Sequence, residues 1–278
     1  MFDTNHGPTG MKRFYPTLWL LLLTALLGAC SGVPGQPVGG GVSAEPVTEF
    51  DEPENRKRAR IRIELASGYF EQGQTTVALD EIKQALAADP NYAPAYNLRG
   101  LVYMQLNEPA LAESSFNRAV QLNPRDADAM HNLGWMWCQQ GRVVPSLEQF
   151  GRALAVPGYT NAARTWMAQG VCQVRAGQNA EAEKSLTRAF ELDASNPITM
   201  YNLARLQLQR GDALRAQFHV RRLNASPDLV NAESLWLGLR VERRLGNQEG
   251  VRQLADQLRQ RYPNSPEWAK YLRGAFDE

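Results

Sequence analysis

From about Ala59 to Pro263 the apolar residues come back in one fixed order at a period of 34. Leu65, Ala66, Tyr69, Gly73, Ala78, Ile82, Ala85 and Pro90 make the first copy. Gly100, Tyr103, Asn107, Ala112, Phe116, Ala119 and Pro124 repeat it 34 residues on, and Leu133, Gly134, Trp137, Gly141, Ser146, Phe150 and Ala153 repeat it again. The fourth copy, Trp166, Gly170, Gly177, Ala182, Leu186 and Ala189, follows after 36, so two residues are inserted around Pro157 and Gly158. Met200, Leu203, Ala204, Gly211, Ala216, Val220 and Leu223 form the fifth. A weaker sixth, Leu235, Leu239, Gly246, Val251, Ala255, Leu258 and Pro263, fits a step of 35 and leaves Glu242 at the tyrosine position. Within each copy the apolar residues recur with a helical period on both sides of one glycine or asparagine, which predicts two short amphipathic helices joined by a tight turn. Gly73, Gly141, Gly177, Gly211 and Gly246 fall in that turn, where a residue without Cβ adopts the left-handed conformation that ends a helix. Asn107 takes the place in the second copy.

The small residues Ala66, Gly100, Gly134, Gly170 and Ala204 oppose Ala78, Ala112, Ser146, Ala182 and Ala216, so the two helices of a copy are expected to approach closely. The pairs Asp89-Pro90, Asn123-Pro124, Asn196-Pro197 and Ser226-Pro227 mark helix ends, because proline cannot continue a helix and restricts the residue before it. The spacing resembles the tetratricopeptide pattern, W-x2-L-G-x2-Y followed by A-x3-F and P. Arg99 departs from it where a leucine is usual, with Leu98 beside it able to compensate. A lone hairpin cannot bury its apolar face, so the copies must stack. The expected fold is all-α: a superhelical solenoid of about six helix-turn-helix repeats over residues 58–278, closed by a capping helix at Pro266 to Leu272.

If position 1 of the first copy is Ala59, positions 4, 7, 8 and 11 of each first helix face the core, and positions 2, 5, 9, 12 and 13 face the inner, concave side. Those inner positions should be polar if they met only water. They hold instead Ile63, Phe70, Leu101, Met104, His131, Trp135, Met167, Val171, Val174, Ile198, Tyr201, Leu208 and Trp236. A continuous apolar strip of this length marks a partner site. Asn97, Gln105, Gln139 and Gln209 interleave with it and can hydrogen-bond a peptide backbone, while Arg164, Arg175, Arg205, Arg240, Arg243 and Arg244 make its C-terminal half basic. The competing reading is that some of these side chains pack against the neighbouring first helix and that the arginines form a solvated face.

The N-terminus carries a second signal. Met11-Lys12-Arg13 is a positive start, Leu18 to Leu27 an apolar core, and Leu27-Gly28-Ala29-Cys30 a small-residue cleavage site ending on cysteine. This resembles a bacterial lipobox, in which cleavage precedes a lipidated cysteine, so residues 1–29 are read as a signal peptide and Cys30 as the lipidation site. Its roughly 15 apolar residues fall short of the ~20 that span a bilayer. Residues 1–10 have no signal character, and Met11 is the expected start. Several acyl chains on Cys30, each worth ~0.8 kcal/mol per buried methylene, would make a stable anchor. The lipobox resemblance implies, from Ser31 after the cysteine, sorting to the outer membrane, facing the periplasm. Residues 30–57, rich in Gly and Pro, read as a tether reaching ~30 Å.

Composition narrows the function. The chain carries 30 basic and 29 acidic residues, and removing residues 1–29 takes away Lys12, Arg13 and Asp3, so charge balance favours neither nucleic acid nor an anionic surface. The sequence holds no paired-histidine or paired-cysteine metal spacing, no nucleophile elbow and no phosphate-binding loop, so neither an enzyme nor a cofactor is expected. His131 and His219 are expected at the surface or in the groove rather than as ligands. An oxidising periplasm would let Cys138 and Cys172 pair. They stand at positions 12 and 10 of their copies, however, and are expected instead as buried free thiols.

Lipobox, tether and six repeats in one chain resemble the type IV pilus biogenesis/stability lipoproteins, the PilF/PilW family, as do the stretches Tyr96-Asn97-Leu98-Arg99-Gly100 and His131-Asn132-Leu133-Gly134-Trp135. The resemblance implies a pilotin: a lipid-anchored protein that binds secretin subunits and promotes their outer-membrane localisation and multimerisation. Its partners would then be secretin in the groove and outer-membrane lipid around the acylated Cys30. The alternative from the same architecture is an adaptor for peptidoglycan hydrolases or for outer-membrane protein assembly.

Overall fold

The computed structural model describes residues 52–276. The expected signal peptide, Cys30 and most of the tether lie outside the described residues. Thirteen helices and no strand occur among those described: α1 Glu54–Glu71, α2 Thr75–Ala88, α3 Ala93–Gln105, α4 Pro109–Leu122, α5 Ala127–Gln139, α6 Val143–Leu154, α7 Ala162–Arg175, α8 Asn179–Leu192, α9 Pro197–Gln209, α10 Ala213–Asn224, α11 Ala232–Arg244, α12 Gln248–Arg261 and α13 Pro266–Arg273. Six hairpins and a cap result, as the pattern predicts. Helix α1 begins four residues ahead of the expected boundary at 58, because Pro53 sets the entry and Glu54 places an acid in the first turn.

Each odd-numbered helix from α1 to α11 packs along the even-numbered helix that follows it, and α13 packs on α11 and α12. Successive odd-numbered helices also touch one another, whereas no two even-numbered helices do. Stacked hairpins that meet along one layer and splay along the other must curve, with the odd-numbered helices on the inside. The tetratricopeptide solenoid follows from that asymmetry.

The turns have the predicted geometry. Gly73 has φ +75°, with its own N–H donating to Phe70 and the next N–H, that of Gln74, donating to Tyr69. Asn107, at φ 58°, repeats this with Met104 and Tyr103, and is the non-glycine residue with positive φ among those described.

Close approach within the hairpins is equally visible. A Cβ on Gly100 would lie 2.5 Å from the Phe116 ring, and one on Gly170 2.5 Å from Leu186 Cγ. In the sixth copy the sizes are exchanged: Leu239 is buried against Ala255, so the volume stays constant while the bulk moves to the other helix.

Several expectations need correction. Leu65, assigned to the core, is 47% exposed, because no described copy precedes α1 to cover it. Arg99 keeps its place without breaking the core: Leu98 is buried, while the guanidinium stacks over Tyr96 at 4.7 Å and donates Nε–H to Ser115 Oγ at 3.0 Å. Glu242, at the tyrosine position, is buried and accepts from Arg221 Nε (2.7 Å), Asn247 Nδ2 (2.7 Å) and Gln217 Nε2 (2.9 Å). Burial alone would raise its pKa, but the hydrogen bonds from Arg221, Asn247 and Gln217, together with the charge of Arg221, hold the carboxyl below its ordinary range.

The two described cysteines are not free. Cys138 of α5 and Cys172 of α7 form a disulfide, with Cα atoms 5.7 Å apart. Equivalence in the repeat is not opposition in space. The two helices meet with residue i facing residue i+34, as the His131–Thr165 hydrogen bond two turns earlier also shows.

Candidate functional site: the inner face of the first helices

The odd-numbered helices present positions 5, 9 and 12 along one stripe, because steps of four and three residues return to the same helix face. Phe70, Asn97, Leu101, Met104, Trp135, Met167, Val171, Val174, Tyr201 and Leu208 are all half-buried there. Most of them lean on a buried cluster or a neighbouring layer and expose their remaining edge. Leu101 and Met104 of α3 pack into the cluster containing Met130, Leu133 and Met136 of α5. Val174 of α7 joins Leu203 and Leu206 of α9, and Tyr201 and Leu208 join Leu237 and Val241 of α11. The stripe is therefore part inter-repeat core and part groove lining.

Two residues expected to contact a partner are inaccessible. Ile63 is buried in the first core cluster. His131 is 2% exposed, bonded through Nδ1 to Thr165 Oγ1 at 2.9 Å and set beside the Phe150 ring. Burial, reinforced by Arg164 and only partly opposed by Asp128, lowers its pKa to about 4. The ring is a neutral core group. His219, expected at the surface or in the groove, is likewise buried, edge-on to Phe190 at 4.8 Å. Trp236 is covered as well, by Phe276.

A polar ladder crosses the layers beside the stripe. Asn132 donates to Asn97 Oδ1 at 3.0 Å, and Arg164 donates to Asn132 Oδ1 at 3.4 Å. Arg175 lies over the Trp135 ring at 5.5 Å, a cation–π contact between the fourth and third copies. The arrangement offers apolar edges, amide groups and guanidinium charge along one curved surface, which suits an extended or helical polypeptide. Among the described residues no cluster of three His, Cys, Asp or Glu side chains is placed to hold a metal. No described helix is long and apolar enough to cross a membrane. The periodic pattern gave no sign of Phe276, because it lies beyond the last copy; its one signal is an aromatic residue two places after Gly274, the left-handed end of α13.

Comparison with known proteins agrees with this geometry. The family model described as Tetratricopeptide repeat matches residues 63–126, 98–163 and 167–218, more than half of the chain. The type IV pilus assembly protein PilF of Pseudomonas aeruginosa is 24% identical over 209 residues, covering 75% of this chain and 82% of that protein. The crystal structure of PilW, a type IV pilus biogenesis factor, superposes with a TM-score of 0.69 at 27% identity, covering 77% of this chain and 98% of that one. The solved structure of Pseudomonas aeruginosa PilF gives 0.75 at 22%, covering 80% and 100%. With repeat spacing, hairpin stacking and family match in agreement, the chain belongs to the tetratricopeptide repeat family.

Proposed function

We propose that this protein is a lipid-anchored pilotin of type IV pilus assembly. In this reading the inner stripe takes hold of a segment of a secretin subunit, and the acyl chains on Cys30 carry the complex to the outer membrane, where the subunits multimerise. The observation that carries the reading is the extent of the similarity: it runs through nearly all of PilW and most of PilF, not through one generic repeat. The lipobox supplies the anchor. The Cys138–Cys172 disulfide is in keeping with an oxidising compartment such as the periplasm. Capture shields an apolar segment of the subunit from premature association while it is in transit.

Exchanging Cys30 for alanine tests this directly. The repeats should fold and melt as before, and secretin multimers should be lost from the outer membrane. Outer-membrane rings at wild-type levels in that strain would reject the proposal. Co-purification of peptidoglycan hydrolases or outer-membrane assembly factors in place of secretin would instead support the adaptor alternative.

A further inference from the structure

The C-terminal half of the inner face differs from the rest in charge. Arg164, Arg175, Arg205, Arg240, Arg243 and Arg244 lie on it, and none has a described carboxylate within 4.0 Å. Several arginines elsewhere are ion-paired, as in Arg210–Glu183 at 2.8 Å and Arg188–Glu191 at 2.7 Å, although others such as Arg118 and Arg222 are not; what sets the strip apart is that its cations lie together on one face. The Nε–H of Arg205 is buried without an acceptor among the described residues. Six cations gathered on one concave strip repel one another and would gain from an anionic occupant.

One end of the strip already holds a side chain. After α13 ends at left-handed Gly274, the chain turns back and lays Phe276 on α11. Its ring stacks on Trp236, with centroids 5.4 Å apart and planes 22° from parallel, and the Arg243 guanidinium sits 3.8 Å from its centroid. Trp236 and Arg243 are two helical turns apart on the inner stripe, so Phe276 occupies the groove surface itself. Beside it Leu208, Arg240, Arg243 and Arg244 line an open depression of about 430 Å³. The next residues in sequence, Asp277 and Glu278, are acidic.

We infer that the basic end of the groove is a docking subsite for an acidic segment carrying an aromatic side chain, and that the chain's own Phe276 fills this subsite until such a segment displaces it. The inference rests on the groove reading proposed above and names the chemistry of what enters. A tethered occupant competes at the high effective concentration set by its short connection, so the free subsite would bind more tightly than the native chain does.

The probe is a fluorescein-labelled peptide reproducing residues 274–278, which holds the phenylalanine and both acids and no basic residue, titrated by anisotropy into the full chain. Phe276→Ala should bind it at least tenfold more tightly than the wild type does. Adding Arg240→Glu and Arg244→Glu to that variant should cost at least tenfold, and a peptide with alanine in place of its phenylalanine should bind at least tenfold more weakly. Should Phe276→Ala loosen the cap in a thermal melt, Phe276→Leu, which keeps apolar contact with Trp236 but loses the stacked ring, should still bind more tightly than wild type. Equal binding by wild type and both variants, or indifference to the arginine reversals, overturns the inference. That result would leave secretin localisation through Cys30 untouched, so the two proposals fail separately.

Discussion

His131 shows how a single side chain reverses its sequence-level role. Placed on the inner stripe by its position, it is instead a neutral imidazole bonded to Thr165 across two layers. Its pKa falls from 6.5 to about 4, so between those values the unfolded chain binds a proton that the folded chain does not. Stability from this group is complete above pH 6.5 and is lost as pH falls toward 4, by up to about 3 kcal/mol. Urea midpoints measured from pH 7.5 to pH 4.5 should fall in the wild type and fall less steeply in His131→Gln; parallel curves would contradict the assignment. Glu242 acts in the window below. Its pKa is depressed from 4.5, so its contribution is full above that value and disappears on further acidification. Glu242→Gln should destabilise by about 1–3 kcal/mol at neutral pH, since Arg221 loses its charged partner. An unchanged melting temperature would show that the buried pair is neutral in energy. Neither environment was legible from sequence: the repeat pattern gives a position, and the partners come from the next helix.

Helices and turns were the most legible scale. The glycines and Asn107 that separate the periodic stretches all have positive φ, and six hairpins follow from them; Gly158 and Gly274, which share that conformation, lie outside those turns. Gly100→Ala should cost about 1–3 kcal/mol, because its Cβ would enter the Phe116 ring and a packed core yields little. Phe116→Leu in the same chain should recover part of that loss, as the exchanged sizes of Leu239 and Ala255 in the sixth copy suggest; a double variant no more stable than Gly100→Ala would refute the packing account. What the pattern concealed was the stagger between neighbouring first helices. Cys138 and Cys172 differ in repeat position by two, yet lie opposite each other, because α5 and α7 meet at an offset of 34 while the repeat there steps by 36. Their bridge closes a loop of 34 residues, worth ~4 kcal/mol in loop entropy at most. Reduction with dithiothreitol should therefore lower the melting temperature, and a thiol assay on unreduced, denatured chain cut after Ala29 should find only Cys30, if Cys30 is unacylated. Two further thiols and an unchanged melt would exclude the bridge.

At the scale of the molecule, the curvature of the solenoid converts a sequence stripe into a surface. The half-buried edges of Phe70, Leu101, Met104, Trp135, Val171 and Leu208 line the layer where the first helices meet, while strongly exposed apolar residues such as Val144 and Leu214 lie on second helices, outside it. The stripe was readable because positions 5, 9 and 12 carry apolar side chains where water alone would select polar ones. Its depth was not, since how far each residue sinks depends on the neighbouring copy, and Ile63 and His131 sink completely. The most direct measurement replaces Met104, Leu208, Val144 or Leu214, one at a time, with a photo-crosslinking amino acid in cells that assemble type IV pili. The account predicts secretin crosslinks from Met104 and Leu208 and none from Val144 and Leu214. Crosslinks to secretin from the outer positions alone, or from none of the four, would contradict it.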